Sequence, residues 1–295
     1  MEKNINQWLN EKLDTNNNDY VIACDTDSMY INLEKYVNKF YSDRSSDDMI
    51  DLLDKDCAEI FEPFIDQTYD NLGMLVNAYQ QKMKMKREAI ANKGIWTGKK
   101  HYSLNVYDNE GVRYNQPKLK MQGIEAIRSS TPAACRNNIK KALEIIMAKD
   151  EEHTIQFIES FKDEFKTLPF EQISFPRSVQ NMRKWHSDNG VKSGCPIHVR
   201  GSLLYNQYIR QNNLEAKYNL INDGDKIKFS YMKLPNPLRS NVLATPGFLP
   251  AEMNIEKYID YDTQFDKSFL EPIKTILNVI GWKTEKQFTI EDFFA

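Results

Sequence analysis

Apolar residues recur at helical spacing from the start of the chain. Ile5, Trp8, Leu9 and Leu13 share one face of residues 4–14, which predicts an amphipathic helix. The polar run Thr15-Asn16-Asn17-Asn18-Asp19 ends it in a turn. Next come the apolar run Tyr20-Val21-Ile22-Ala23-Cys24, the polar stretch Asp25-Thr26-Asp27-Ser28, and the resumed alternation Met29-Tyr30-Ile31-Asn32-Leu33. Strand, polar turn, strand reads as a β-hairpin with two carboxylates at its tip. Residues 47–80 carry Ile50, Leu53, Ile60, Phe61, Phe64, Ile65, Leu72, Leu75 and Val76 at intervals that predict one long amphipathic helix, broken or kinked at Pro63. Strands are predicted over 83–92, 101–107 and 112–121, the last two joined by the turn Asp108-Asn109-Glu110-Gly111. Ser130-Thr131-Pro132 reads as a helix start. Helices follow over 133–148, 151–166, 198–212 and 253–280, with a short strand at 226–232 and many loop signals from about 176. The pattern predicts an α+β fold: a β-rich part holding the carboxylate hairpin, then a mainly helical part, with the change near 108–132.

Composition narrows the class. A chain of 295 residues with 41% hydrophobic and 27% charged residues folds as one large domain or two ordinary ones. Its 4 Cys, at 24, 57, 135 and 195, show no CxxC spacing, which argues against a disulfide scaffold or zinc ribbon. No apolar run approaches the roughly 18 residues of a membrane span, and the polar, acidic start is not a signal peptide, so no membrane partner is expected.

Charge changes the picture more. The formal net charge is -3, yet residues 1–70 hold 17 acidic against 6 basic side chains, and residues 80–145 hold 14 basic against 5 acidic. Trp96, His101, Tyr102, Tyr107 and Tyr114 interleave with those cations. Such a segment suits a polyanion; a merely solvated basic face is the plainer alternative.

Two carboxylates at i and i+2 beside an apolar strand end repel each other unless a cation compensates, and a divalent ion is the usual one. A turn rich in Asp that only closes a hairpin is the competing reading. The surrounding motifs weigh on that choice. Cys24-Asp25-Thr26-Asp27-Ser28-Met29-Tyr30 resembles the Y-G-D-T-D-S palm motif of family B DNA polymerases, in particular those of T-even-type phages. The resemblance continues in order through Lys86-Arg87-Glu88-Ala89-Ile90-Ala91, Lys93–His101, Tyr102, Pro117–Glu125, Ser129–Pro132 and Cys195–Gly201 to the C-terminus. It implies that residues 1–115 form the end of a polymerase palm and 116–282 a thumb. It also implies Mg²⁺ as cofactor: two ions, one shared with the incoming dNTP. Asp25, Asp27 and Glu88 are then the expected catalytic carboxylates, with Asp27 the metal ligand and Asp25 its supporting neighbour at the metal. For Glu88, a salt bridge to Lys86 or Arg87 stands as the alternative. Lys99, Lys100 and Tyr102 match the K-K-x-Y frame that lies along the primer terminus, where a Lys reads minor-groove acceptors without reading sequence. Lys118, Lys120 and Arg128 are expected on duplex phosphates.

Three departures stand out: Cys24 replaces the usual Gly, His101 replaces an Arg, and the loop between Ile90 and Trp96 is short.

The first palm motif and the fingers motif of that family do not occur in these residues. The resemblance therefore implies an N-terminal polymerase subunit carrying them and the exonuclease, with this chain as the C-terminal subunit of a split polymerase; a fragment of a longer polymerase is the other explanation. Primer-template DNA and dNTP are the expected substrates. At the C-terminus, residues 283–295 read as a tail for a sliding clamp, with Gln287, Ile290, Phe293 and Phe294 as contacts. The alternative is that those aromatics pack on their own domain. The expected setting is the cytoplasm of an infected bacterial host. A non-catalytic DNA- and sliding-clamp-binding module is the second functional reading.

Overall fold

The computed structural model describes residues 1–187 and 190–286. The fold is α+β. The chain divides into two compact units: Met1–Gly94 with Gly98–Lys120, and Ile95–Thr97 with the chain from Met121 onward. Among the described residues no helix is long and apolar enough to cross a membrane.

In the first unit, helix α1 (Glu2–Leu13) closes with Asp14 in the left-handed region. The turn after it is tied back by side chains: the Asn6 side-chain oxygen accepts from Tyr20 N–H at 2.8 Å, and the Asn10 amide donates to the Asn18 carbonyl at 2.8 Å. Those bonds deliver the chain into β1 (Val21–Asp25), which pairs antiparallel with β2 (Ser28–Ile31). Helices α2 (Glu34–Phe40) and α3 (Ser46–Asp56) follow. The Ser45 hydroxyl caps α3 by accepting from Asp48 N–H at 3.2 Å.

The expected single helix over 47–80 is instead α3, a π-turn at Cys57–Phe61, and α4 (Glu62–Leu75). Pro63 supplies no N–H, and the wider i→i+5 turn before it lets the helical path continue without breaking. Apolar side chains of α1 and α4 meet around the base of the hairpin: Ile5, Leu9, Tyr20, Val21, Phe61 and Ile65 form a buried core, and Trp8 stacks on Phe64 at 4.8 Å.

The sheet β3 (Ala89–Gly98), β4 (His101–Asn109) and β5 (Val112–Gln122) is a meander in that strand order. Its two connections are two residues each, so neighbours run antiparallel. The first strand starts at Ala89, not at the expected residue 83. Arg87 N–H donates to Glu62 Oε1 at 3.0 Å, so the run-in to β3 is bonded to a helix side chain instead of a ladder.

In the second unit, α5 (Ala133–Ala148) and α6 (Glu151–Phe165) lie where the periodicity puts them. The short α7 (Phe170–Ile173), β6 (Phe175–Ser178), α8 (Met182–Trp185), β7 (His186–Ser187) and β8 (Gly190–Val191) were not expected. They are two to four residues long, too short to carry a period. Helix α9 (Ile197–Gln211) packs on a sheet of order β10-β9-β6, with β9 at Lys226–Tyr231 and β10 at Val242–Thr245. At Gly201 an added Cβ would lie 2.8 Å from the Ala244 amide nitrogen, so glycine permits that close approach.

The helix expected over 253–280 begins only at Tyr261. Asn254 takes the left-handed conformation, and Asp260 caps α10 (Tyr261–Phe265) by accepting from Thr263 N–H at 3.1 Å. A second π-turn (Asp266–Leu270) again precedes a proline, Pro272, in α11 (Glu271–Ile280). Phe161, Phe165, Phe265 and Phe269 form the aromatic heart of this unit, with Phe161 and Phe269 centroids 4.7 Å apart.

Candidate active site on the carboxylate hairpin

β1 and β2 pair Ala23 with Tyr30, Cys24 with Met29 and Asp25 with Ser28. This leaves Thr26 and Asp27 as the two-residue turn. Thr26 has φ 53, a left-handed backbone that a β-branched residue adopts only under strain of about 1–3 kcal/mol. The turn closes with Asp27 N–H donating to the Asp25 carbonyl at 2.6 Å and the Ser28 hydroxyl donating to the same carbonyl at 3.2 Å. Asp27 thus sits in the turn and not in a strand, so strand alternation, which would point residues i and i+2 to the same side, does not set its direction.

The two carboxylates differ in surroundings. Asp25 is half-buried, accepts from the Thr26 hydroxyl at 3.3 Å and faces Lys100 Nζ at 3.5 Å. Asp27 is exposed, and among the described residues its carboxylate makes no hydrogen bond or ion pair. Cys24 stands next to them, its thiol pushed up by burial and then by the charge of Glu2.

Lys100 also has a left-handed backbone, φ 61, at the tip of the β3–β4 hairpin. Two tight tips, each with a non-glycine residue in that region, therefore bring a cation to a carboxylate. Two residues on, Tyr102 is 7% exposed, and its ring lies 5.3 Å from that of Tyr30 on β2. The Tyr30 hydroxyl is pushed well up by burial, by its hydrogen bond with Tyr102, and less by the charge of Glu88. Tyr30 was not among the expected site residues; its place opposite Ala23 in the hairpin register was the available signal.

Glu88 pairs with Lys120 on β5, not with Lys86 or Arg87 as the alternative reading had it. Lys120 also donates to Asn109 Oδ1 at 3.4 Å. The Glu88 backbone is fixed as well, its carbonyl accepting from Glu110 N–H at 2.6 Å. Within the first unit the structure thus pairs Asp25 with Lys100, Tyr30 with Tyr102, and Glu88 with Lys120.

Lys99 and Lys118 are exposed, and Lys118 Nζ sits 4.1 Å over the Tyr114 ring. Arg128 belongs to the second unit and pairs with Glu125 at 3.0 Å. Gln287, Ile290, Phe293 and Phe294 lie outside the described residues.

Among the described residues no group of three or more His, Cys, Asp or Glu side chains is gathered as a cation site. Two adjacent carboxylates, one of them exposed and unengaged, still suit Mg²⁺. That ion commonly takes one or two protein carboxylates and fills its remaining positions with water and phosphate oxygens.

Residues 11–163 match the family described as Divergent Family B DNA polymerase. Over 99% of its length the chain is 30% identical to a DNA-directed DNA polymerase of Enterobacteria phage T4, and over 100% it is 32% identical to a DNA-directed DNA polymerase of Escherichia phage RB69. In each case it spans 34% of the relative, about a third of that protein's length.

Proposed function

This chain belongs to the divergent family B DNA polymerases, and on that premise we propose that it forms the end of the palm and the thumb of a DNA-directed DNA polymerase. It extends a primer 3′-hydroxyl with dNTPs when joined with polypeptide that carries the first palm and fingers motifs. The observation that carries this reading is the hairpin tip: an exposed carboxylate, Asp27, beside one held by a cation, Asp25 against Lys100 at 3.5 Å.

Asp27, with Asp25 in support, holds Mg²⁺ in this reading. The bound ions supply charge neutralisation for the in-line displacement at the transferring phosphoryl group. The chain's own residues do the rest. Lys100 faces Asp25 at 3.5 Å and offers its ammonium to the minor groove beside the primer terminus. Tyr102, buried with its ring 5.3 Å from that of Tyr30, fixes the direction of that strand end. Lys99, Lys118, Lys120 and Arg128 add salt-dependent affinity for the duplex phosphates.

A partner polypeptide is supported by the surface of the first unit. Met74, Leu75, Val76 and Tyr79, at and just beyond the end of α4, are 73%, 80%, 62% and 105% exposed. Apolar side chains so concentrated mark a protein interface. Among the described residues strand β1 has β2 on one side only, and Ile22 on it is 47% exposed. We assign both to the polypeptide that completes the palm, joined to this chain or separate from it, within the infected bacterial cell.

The test is primer extension with Mg²⁺. The chain alone extends no primer, and adding the polypeptide with the missing motifs restores synthesis. Robust extension by the chain alone overturns the division of labour. The tail is tested on the same enzyme: deleting 287–295 removes stimulation by a sliding clamp and leaves distributive synthesis unchanged. Loss of melting temperature with the clamp response preserved assigns those aromatics to the fold instead.

A further inference from the structure

Next to Glu88 lies an ion cluster that the proposed chemistry does not use. The Arg87 side chain is only 11% exposed, and its guanidinium bridges Asp54 on α3 and Asp108 on β4. Asp108, 4% exposed at its side chain, also accepts from Gly111 N–H at 3.0 Å and from Arg113 Nε at 3.5 Å. Burial opposes the charges, but the hydrogen bonds outweigh it: Asp108 is held below its usual carboxylate range and Arg87 above its usual value.

We infer that Arg87 is a positioning residue for the Glu88–Lys120 pair. Glu88 precedes the first ladder residue of β3, so strand pairing does not hold it. Its place is set from both sides of Arg87 and by the next hairpin. The Arg87 N–H donates to Glu62 at 3.0 Å, the Arg87 guanidinium reaches the Glu88 carbonyl at 3.5 Å, and Glu110 N–H donates to the same carbonyl at 2.6 Å. The β4–β5 turn that carries Glu110 is itself fixed by Asp108, which Arg87 anchors. One guanidinium fork thus ties α3, the approach to β3, and the β4–β5 turn to one another. A lysine at 87 has a single ammonium and cannot span two carboxylates in this fixed geometry. The inference rests on the polymerase reading, because it assigns Arg87 its effect through Glu88, which the resemblance to family B polymerases implies as a catalytic carboxylate.

The experiment is a double-mutant cycle on the assembled polymerase, with Arg87→Lys, Glu88→Gln and the pair together. Primer extension is read as kcat and dNTP KM, with melting temperature measured alongside. Expected are a roughly 10-fold fall in kcat for Arg87→Lys with KM changed less than about twofold, and a double variant no slower than Glu88→Gln alone. A purely structural ion pair predicts otherwise: losses that multiply, or a fall in melting temperature with kcat unchanged. Either result overturns the inference. If Arg87→Lys does not fold, Asp54→Asn takes its place in the cycle, since that carboxylate is 47% exposed and its loss leaves the Arg87–Asp108 pair intact. An unmodified enzyme that extends no primer overturns the polymerase reading and this inference with it; an active one with multiplicative losses overturns this inference alone.

Discussion

The hairpin tip and the Arg87 cluster use the same ingredients, carboxylates and cations, in opposite ways. At the tip, Asp27 is exposed with no partner among the described residues, and Asp25 meets one half-exposed lysine at 3.5 Å. In the cluster, Asp108 is buried between two guanidiniums and a backbone N–H, so little of its accepting capacity is left over. A carboxylate with open valences near water can take an ion or substrate group from outside. One saturated from within transmits position and little else. The contrast teaches that proximity of acids to bases does not mark a site; incomplete pairing does.

The largest expected effect breaks the tip. Asp27→Ala in the assembled enzyme lowers nucleotide addition by about a thousandfold or more, because a lost metal ligand removes charge compensation at the reacting phosphoryl group. Duplex affinity stays near normal, since phosphate contacts lie elsewhere. A variant keeping a tenth of normal turnover removes Asp27 from the ligand set. The same substitution should leave stability of the chain within about 0.5 kcal/mol, as for an exposed residue without partners.

The cluster should behave in the reverse sense. Asp108→Ala removes the buried carboxylate shared by two guanidiniums, leaving Arg87 with Asp54 and Arg113 with Asp51, and is expected to cost about 1.5–3 kcal/mol. Urea unfolding measures it. A loss below about 1 kcal/mol would show that the buried pair contributes no more than an exposed one.

How much of this was legible in sequence depends on the range of each interaction. The hairpin is local: two apolar runs and a polar tip suffice, and its pairing is regular from Ala23 to the tip, after a register shift between Val21 and Ala23. What alternation could not give is the left-handed Thr26, whose strain is held in place by bonds across the turn. The cluster was invisible because Arg87 lies 33 residues from Asp54 and 21 from Asp108, and no period links positions that far apart. Pro63 reads as a break or kink, and Pro272 falls inside the expected 253–280 helix; a π-turn before each keeps the helical path going. Asn254, in the left-handed conformation, and the side-chain cap at Asp260 delay the start of the expected 253–280 helix to Tyr261.

A smaller effect sharpens the tip. Lys100→Ala should weaken primer-template binding several-fold, uniformly across sequences, and reduce the salt dependence of binding by about one counterion. Anisotropy titrations at several salt concentrations measure this. An unchanged slope with weakened binding would assign the loss to Asp25, freed of its cation, instead of to DNA.

The smallest effect separates the two sites by pH. Asp108 has its carboxyl held below the ordinary carboxylate value of about 3.9. The unfolded chain therefore binds a proton more readily than the folded one as pH drops, and folding loses stability in that direction. The contribution is complete above the ordinary carboxylate range and fades as pH falls through the folded value, below about 4. Asp14 and Asp150 are lowered in the same sense by their hydrogen bonds to Lys39 and His153, and Glu252 is lowered to about 2 by Lys217 and Tyr218, so several groups shape the acid limb. Asp108→Asn removes one of them. The variant is less stable at neutral pH, because the amide cannot pair with Arg87 as an ion. Its stability should then fall less steeply than the parent's between about pH 5 and pH 2, the two curves converging at the acid end. Urea midpoints taken through that range give the difference curve directly. Parallel limbs would mean that Asp108 carries no linked proton and that its partners do not hold its carboxyl below the ordinary range.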